Sequence, residues 1–294
     1  MVRFGRFRLG RDRIQEGMKT SLHYRLALAD ARRVIVKIGS RVLVQKSGRP
    51  ESRRIRALVR ELAALRNRGV EVVVVTSGAV GTGMAALGMK SRPTELPDQQ
   101  MAAAVGQSRL MALYDKLFSA RRCKVGQVLL THDDFHNHIR LTNATRTMLN
   151  LMRHGVIPIV NENDVVAAEE IRAEIKKVGD NDLLASLVAK MVRADLLIIL
   201  STVDGLREPG ANGTTHRVRC LEEITRKTFQ LVSGHKSALS TGGMASKLKA
   251  AQSVARAGCN VVIADGRVPA NIARIMRGDD VGTFVVASIA GRSL

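Results

Sequence analysis

The sequence contains no tryptophan and few other aromatic residues, which limits both its core and its ligands. Phe, Tyr and Trp together make up 3% of the 294 residues, whereas hydrophobic residues make up 45%. The core must therefore be built mainly from aliphatic side chains. Single-stranded nucleic acids are commonly bound by stacking their bases on aromatic rings, so the chain is poorly equipped for that class of ligand.

Cysteines and long apolar runs are also scarce. Cys123, Cys220 and Cys259 lie far apart, outside the spacings of metal ligands, and their odd number favours a reducing compartment. No apolar run approaches the roughly 18 residues that cross a bilayer. The N-terminal segment lacks the continuous apolar stretch of a secretory signal. We therefore expect a cytoplasmic protein without a membrane partner.

Basic residues strongly outnumber acidic residues. The chain has 47 Lys and Arg against 26 Asp and Glu, which gives a net charge of +21. A positive field attracts anions, either nucleic acids or the phosphates of ATP, although a basic surface without a function is a third interpretation. Part of the excess lies in residues 1–32, which we interpret as a basic N-terminal extension. A nucleic-acid-binding protein remains the alternative of a different class.

Short aliphatic runs alternate with segments of helical periodicity along the chain. Such alternation indicates a mainly parallel central sheet with helices on both faces, which is a three-layer α/β/α sandwich. The loop 209–215, rich in turn-forming residues, is able to separate two lobes. The predicted strands are 34–38, 70–75, 125–130, 156–160, 196–200 and 261–264, and the main predicted helices are 53–68, 99–118, 142–153, 182–191 and 247–257.

Candidate ligand-binding residues follow these strands, because ligands bind at the carboxyl ends of parallel strands. Lys37, near the end of the first strand, needs either an anionic partner or an outlet to solvent. The glycines of 76–83 (TSGAVGTG) lie between a strand and a helix, which favours binding of an anion by backbone N–H groups. They do not form a P-loop, because Gly-Lys-Ser/Thr occurs nowhere in the chain.

Three further polar segments are candidates. The segments 161–164 (NEND) and 179–182 (GDND) offer carboxylate and amide oxygens to an ammonium group, a metal ion or lysines, although Asp182 also suits a helix N-cap. The segment 241–247 (TGGMASK) resembles either a phosphate-binding helix start or a surface turn. The histidines of 132–138 lack the glutamate of the HExxH motif, so we interpret them as a solvated loop or helix start and expect no metal site.

Several segments, in the same order, resemble the amino-acid kinase family over nearly all of residues 33–285. The combination of TSGA, AVGQSRL and NEND separates the chain from the acetylglutamate, carbamate, aspartate and uridylate kinases of that family. The resemblance implies a kinase domain over residues 33–294, with an N-terminal lobe for the amino acid, a C-terminal lobe for ATP and no C-terminal PUA domain. The matching segments are 34–40, 72–83, 103–110, 155–166, 175–189 and 240–251.

The resemblance also implies an activity, namely the ATP-dependent phosphorylation of the side-chain carboxylate of L-glutamate, the first step of proline biosynthesis. A carboxylate is already ionised at neutral pH, so the reaction needs no general base and depends on alignment and charge neutralisation. Further implied features are Mg²⁺ carried largely by the ATP, a homo-oligomer and feedback inhibition by proline. Another amino-acid kinase, such as an acetylglutamate kinase, is the alternative enzyme.

Site residues follow from the same resemblance. Asp180 would hold two catalytic lysines, Lys37 and Lys247. Asp164 would bind the ammonium group of glutamate, and the other substrate contacts would be Ser77, Gly78, Asn161 and Asn181. The ATP contacts would be Lys37, Ser201, Thr202, Thr241, Gly242, Gly243, Met244, Ala245, Ser246 and Lys247. The segment between Asp164 and Gly179 is longer than the family pattern, and Ser201-Thr202 replaces a more usual Thr-Asp.

Overall fold

The computed structural model describes residues 22–45, 47–167, 180–210, 213–233 and 243–288. Its strands are β1 (Arg33–Ile38), β2 (Glu71–Val75), β3 (Lys124–Leu130), β4 (Val156–Glu162), β5 (Leu196–Ser201), β6 (Arg207–Pro209), β7 (Thr215–Arg217), β8 (Cys220–Leu221), β9 (Asn260–Asp265) and β10 (Thr283–Val285). Eight of them form one sheet in the order β3-β4-β2-β1-β5-β9-β10-β8. Neighbouring strands pair in parallel except β9 and β10. The predicted mainly parallel sheet is confirmed.

Helices cover both faces of this sheet. They are α1 (Ser40–Leu43), α2 (Ser52–Asn67), α3 (Ala79–Ala86), α4 (Leu96–Ser119), α5 (His132–His136), α6 (His138–Arg153), α7 (Asp180–Met191), α8 (Arg226–Ser233), α9 (Met244–Arg256), α10 (Asn271–Met276) and a 3-10 helix at Ala27–Asp30. One core contains side chains of α2, α4 and α10, and the other contains side chains of α6, α7 and α9. The three-layer arrangement predicted from the sequence is therefore present.

The central strands are buried on both faces because their residues alternate between these two cores. In β1, Val34 and Val36 belong to the core beside α2, whereas Ile35 belongs to the core beside α7. This alternation has the period of two residues that a strand imposes. A run of branched aliphatic residues suits such a strand, since no position faces water. The same run leaves polar side chains only at the strand ends.

The two halves of the sheet meet where β1 pairs with β5. Five residue pairs lie along this seam, from Val34↔Leu196 to Ile38↔Leu200. The loop 209–215 plays no part in it. It joins β6 to β7, which pair antiparallel as a separate two-stranded sheet. The interpretation of this loop as a lobe boundary is therefore wrong. Within the described ranges, no helix is both long and apolar enough to span a membrane.

Residues 22–30, which the sequence analysis placed in the basic extension, pack onto the half of the sheet that contains β10. Leu28 is 1% exposed and belongs to the core. The guanidinium of Arg25 is buried and lies 5.6 Å from the ring centre of Phe284. It donates hydrogen bonds to the backbone carbonyls of Arg219, Asp279, Val281 and Gly282. Residues 1–21 lie outside the described part of the chain.

Candidate active site

A buried carboxylate joins two buried lysines at the carboxyl end of β1. Asp182 Oδ1 accepts a hydrogen bond from Lys37 Nζ at 2.5 Å, and Asp182 Oδ2 accepts one from Lys247 Nζ at 2.9 Å. Lys37 is 6% exposed, Lys247 5% and Asp182 1%. Such burial excludes the interpretation of Lys37 as a lysine that extends into solvent. Among the described side chains of this cluster, two ammonium groups share one carboxylate.

The two lysines determine the charge state of Asp182. Burial on its own would raise the pKa of this carboxyl group, but Lys37 and Lys247 outweigh burial and hold the pKa below its ordinary value. The carboxylate is therefore ionised at neutral pH. Because both of its oxygens are occupied by ammonium groups, it keeps the lysines a fixed distance apart.

Three elements that are distant in the sequence build this cluster. Lys37 is the fifth residue of β1, Asp182 lies in the first turn of α7, and Lys247 lies in the first turn of α9. The Ser246 hydroxyl, which has a single proton to donate, lies 3.1 Å from Asp182 Oδ2 and 2.9 Å from the carbonyl oxygen of Gly243. The starts of two helices thus meet the end of a central strand, where an anion is favoured by the helix dipoles.

Among the side chains that the structure describes, the carboxylate that bridges the two lysines is Asp182, which had no catalytic role in the prediction from the sequence, where Asp180 was to hold them. The alternative that Asp182 is only an N-cap is wrong, because α7 already begins at Asp180. Assigning the bridging role to one of the two aspartates from the sequence requires the position of the helix start. The side chain of Asp180 lies outside the described part of the chain.

A neutral cluster of amides and hydroxyls lies next to the charged one. Asn181 Nδ2 is 2.6 Å from both the Thr76 carbonyl oxygen and Ser77 Oγ, and it is 3.2 Å from Asn161 Oδ1. Asn161 Nδ2 in turn donates to Gln107 Oε1 at 2.8 Å. The structure therefore brings together three of the predicted substrate residues, Ser77, Asn161 and Asn181. Asn181 adjoins Asp182 in the chain, so the two clusters are continuous.

The turn after β2 depends on one glycine and the helix that follows depends on another. Gly78 has a φ of 95°, and a Cβ there would lie 2.7 Å from Val44 Cγ2. Helix α3 begins at the next residue, so Gly83 lies inside a helix, where a Cβ would lie 1.7 Å from the carbonyl oxygen of Ala102. Gly83 therefore permits close packing of α3 on α4. The predicted anion-binding role is wrong for Gly83, the fifth residue of the helix, and stays a prediction for Gly81, which lies in the first turn.

Helix α4 supports both strand ends that carry the neutral cluster. Gln107 contacts Asn161 at the end of β4, and the Tyr114 hydroxyl lies 2.9 Å from Thr76 Oγ1 at the end of β2. The two residues of α4 are seven apart, about two helical turns, so they share one face. Burial raises the pKa of Tyr114 to about 12, which keeps its hydroxyl protonated. The motif AVGQSRL did not by itself indicate a role for Gln107, and no motif pointed to Tyr114.

The residues predicted to bind the nucleotide lie at the C-terminal end of β5 and around the start of α9. Ser201 is the last residue of β5 and pairs with Asp265 of β9. The carbonyl of Thr202 accepts a hydrogen bond from Arg267 Nη2 at 2.8 Å, and Arg267 is held by Asp265 at 2.7 Å. Gly243 precedes α9, whose first residues are Met244 and Ala245. Thr241, Gly242 and the segment 168–179 lie outside the described residues.

Two remaining predictions concern polar turns. Asp164 lies in the turn that follows β4, where the N–H of Val166 donates to the carbonyl of Asn163.

His132 begins the short helix α5, so its interpretation as a helix start is confirmed. The Thr131 hydroxyl and the Asp134 carboxylate cap that helix reciprocally. In the described ranges no three His, Cys, Asp or Glu side chains converge as metal ligands.

The profile of the amino acid kinase family matches residues 32–265, and the chain belongs to this family. Among individual relatives, the chain is 46% identical over 267 residues to a glutamate 5-kinase of Moorella thermoacetica, covering 90% of this chain and 69% of that protein. It is 40% identical over 259 residues to a glutamate 5-kinase of Clostridium tetani, covering 87% of this chain and 95% of that protein. The resemblance inferred from the motifs is confirmed.

A solved structure has the same fold. The UMP kinase of Bacillus anthracis superposes with a TM-score of 0.56 at 15% sequence identity, covering 88% of this chain and 97% of that one. At this level of identity the likeness concerns the arrangement of strands and helices alone. It agrees with the mainly parallel sheet and the two layers of helices described above.

Proposed function

We propose that this chain transfers the γ-phosphoryl group of ATP to the side-chain carboxylate of L-glutamate, giving L-glutamyl 5-phosphate at the start of proline biosynthesis. The observation that carries the proposal is the Lys37–Asp182–Lys247 bridge, buried beside the Asn181–Ser77 hydrogen bond. It puts a positive cluster next to neutral donors and acceptors suited to an amino acid. The relatives named glutamate 5-kinase support this choice of acceptor.

The reaction requires little covalent chemistry from the protein. A carboxylate oxygen of glutamate forms a bond to the γ-phosphorus while the bond from that phosphorus to the β–γ bridging oxygen breaks, and ADP leaves. The attacking oxygen carries no proton at neutral pH, so no base is needed. The protein must instead align two anions that repel each other and neutralise the charge on the transferring group.

Lys37 and Lys247 supply that neutralisation. They reach the site from opposite sides of Asp182, which fixes their separation. Lysine contacts phosphate as a point charge, so two of them suit an acceptor oxygen and a leaving phosphate on either side of the transferring group. Because both oxygens of Asp182 are taken by lysines, this carboxylate is not available as a Mg²⁺ ligand. The Mg²⁺ would be carried mainly by the nucleotide phosphates.

The amino-acid end of the site is assigned to the neutral cluster and Asp164. The carboxylate of Asp164 would bind the ammonium group of glutamate. Ser77 Oγ accepts a hydrogen bond from Asn181, so its own proton is available to a substrate oxygen. Gly78 at the start of α3 would add a backbone donor. Ser201, Thr202 and the segment 241–246 would bind the nucleotide.

A direct test measures product formation with hydroxylamine as the trap. The enzyme is incubated with ATP, Mg²⁺ and one acceptor at a time, namely L-glutamate, N-acetylglutamate, L-aspartate or UMP. We expect ADP release with glutamate and, in the presence of hydroxylamine, glutamyl hydroxamate. Turnover with only one of the other three acceptors would assign the chain to a different reaction of the family.

Two properties of the assembly are part of the same proposal. We propose that the protein forms a homo-oligomer and that proline inhibits it by competing with glutamate. Adding proline to the hydroxamate assay should raise the KM for glutamate and leave the KM for ATP unchanged. Light scattering on the same sample measures the mass of the particle, and a mass equal to that of one chain would contradict the oligomer.

A further inference from the structure

The side chain of Gln107 is buried, with one end bonded and the other end without a protein partner. It is 9% exposed, and its Oε1 accepts a hydrogen bond from Asn161 Nδ2 at 2.8 Å. Its Nε2 is also buried, yet no acceptor for it lies among the residues that the structure describes. Buried donors without an acceptor are rare and destabilising, so this N–H group calls for an explanation.

The orientation of the Gln107 amide group is fixed by the backbone carbonyl of Thr76, to which it is linked through three successive hydrogen bonds. The Thr76 carbonyl only accepts hydrogen bonds, so Asn181 must present Nδ2 to it. The same nitrogen faces Asn161, which must therefore present Oδ1 to Asn181 and Nδ2 to Gln107. Gln107 must therefore accept this hydrogen bond through Oε1. Turning the Gln107 amide around would set two N–H donors against each other, so its unpaired end is a donor.

The chain of amides begins beside the lysines and ends at Gln107. Asn181 is adjacent to Asp182, which holds Lys37 and Lys247, and Asn161 and Gln107 follow as the next two members. A glutamate molecule carries two carboxylates at its two ends. If the side-chain carboxylate lies at the lysines, the α-carboxylate lies toward the far end of the amide chain. A buried, neutral N–H donor at that end matches a carboxylate oxygen.

We propose that Gln107 is a specificity-determining residue of the amino-acid site, whose Nε2 donates to the α-carboxylate of glutamate while its Oε1 holds Asn161 in place. This inference rests on the proposed function. Through Oε1 the side chain acts on the substrate only by way of Asn161. Through Nε2 it contacts the substrate itself. Losing the hydrogen bond from Nε2 to the charged α-carboxylate corresponds to about a 10- to 100-fold loss of affinity for glutamate.

Two substitutions separate these roles. Gln107→Met keeps the length of the side chain and removes both polar ends, whereas Gln107→Glu keeps an oxygen for Asn161 and puts a second oxygen in place of the donor. Gln99→Met is the matched control, since Gln99 lies on the same helix and its Nε2 donates to the Thr94 carbonyl at the surface. The KM for glutamate, the KM for ATP, kcat and the melting temperature are measured for all three variants and the parent protein.

The acceptor is tested with 4-aminobutyrate, which is glutamate without its α-carboxylate. We expect Gln107→Met and Gln107→Glu to raise the KM for glutamate about 10- to 100-fold with the KM for ATP within about twofold. The value of kcat/KM for 4-aminobutyrate should be the same, within about twofold, in Gln107→Glu and the parent protein, because this variant keeps an oxygen for Asn161 and 4-aminobutyrate has no α-carboxylate. Gln99→Met should match the parent protein throughout.

Several outcomes would overturn the inference. A parent-like KM for glutamate in Gln107→Glu would leave Gln107 with a positioning role only. A loss of kcat/KM for 4-aminobutyrate in Gln107→Glu as large as the loss for glutamate would show that the donor does not meet the α-carboxylate. A rise in both KM values together with a lower melting temperature would indicate a structural role. If the parent protein itself does not phosphorylate glutamate, the proposed function fails before the variants are compared.

Discussion

The two ends of the candidate active site are built from different chemistry, although they touch. At the end that we propose binds the phosphates (the phosphate end), ionised side chains meet, with Asp182 between Lys37 and Lys247. At the end that we propose binds glutamate (the amino-acid end), Asn161 and neighbouring neutral amides and hydroxyls form a directional chain of hydrogen bonds. The first arrangement supplies charge, and the second supplies orientation.

Each chemistry suits its task. Charge on a transferring phosphoryl group is spread over several oxygens, so neutralising it requires positive charge nearby rather than a particular lone-pair direction. Selecting one amino acid requires the opposite, because a hydrogen bond weakens steeply when donor and acceptor are misaligned. Damage to the phosphate end should therefore lower kcat, whereas damage to the amino-acid end should raise the KM for glutamate.

The largest expected effect tests the phosphate end. Replacing Lys37 or Lys247 by Met should lower kcat about 10²- to 10³-fold, since either lysine stabilises charge in the transition state. Lys249→Met is the matched control, because Lys249 is exposed on the same helix as Lys247. Steady-state kinetics with circular dichroism would show whether the variants remain folded. Near-normal kcat in either variant would remove that lysine from the mechanism.

Asp182→Asn tests whether the bridge is electrostatic. It should lower the free energy of unfolding by about 3 kcal/mol at neutral pH, because two buried ammonium groups lose their counter-charge. The pKa of Asp182 is held below its ordinary value, so the stabilisation is fully present above about pH 5 and is lost as the pH falls through the folded-state pKa, below about 4.

Denaturant unfolding of both proteins between pH 3 and pH 7 measures this effect. The difference between Asp182→Asn and the parent protein should shrink toward acid pH. A difference that is constant across the whole range would mean that the carboxylate acts by shape rather than by charge. The two ends of the site would then differ less than we infer.

Asp164→Ala tests the amino-acid end. It should raise the KM for glutamate about 10- to 100-fold, because an ammonium group loses a charged hydrogen-bond partner. The KM for ATP and kcat should change about twofold or less. Steady-state kinetics with each substrate varied in turn measure both KM values and kcat. An effect confined to the KM for ATP would remove Asp164 from the glutamate site.

The smallest expected effect concerns the helix behind the amino-acid end. Tyr114→Phe removes the hydrogen bond to Thr76 Oγ1 and should lower the free energy of unfolding by about 1 kcal/mol, with less than about a fivefold rise in the KM for glutamate. The same substitution at the partly buried Tyr24 serves as a control. A loss of kcat without a loss of stability would show that Tyr114 acts on the phosphate end instead.

Local sequence patterns were sufficient for the sheet and for much of the site. Strand β1 is a run of branched aliphatic residues, and burial on both faces leaves little else that such a run can form. Lys37 was predictable because an ammonium group at the end of a buried strand needs a partner. Ser77 and Asn161 were predictable for a related reason, since parallel strands bring their carboxyl ends to one edge.

Other residues depend on geometry that spacing does not contain. The contact of Asp182 with both lysines depends on where α7 begins, and helix starts are the least certain part of a prediction. Gln107 lies in the middle of a helix, where a glutamine has no distinctive pattern. Arg25 lies in a basic stretch whose other members gave no reason to expect burial. Each was found only from contacts between distant parts of the chain.

The burial of Arg25 has a consequence for the order in which the protein is made. Its carbonyl partners lie between 194 and 257 residues further along the chain, so none of them has been synthesised when Arg25 leaves the ribosome. Contacts of such long sequence separation form late, because a large loop must be closed first. The first described segment of the chain therefore reaches its native place only after the last strand, β10, is available to receive it.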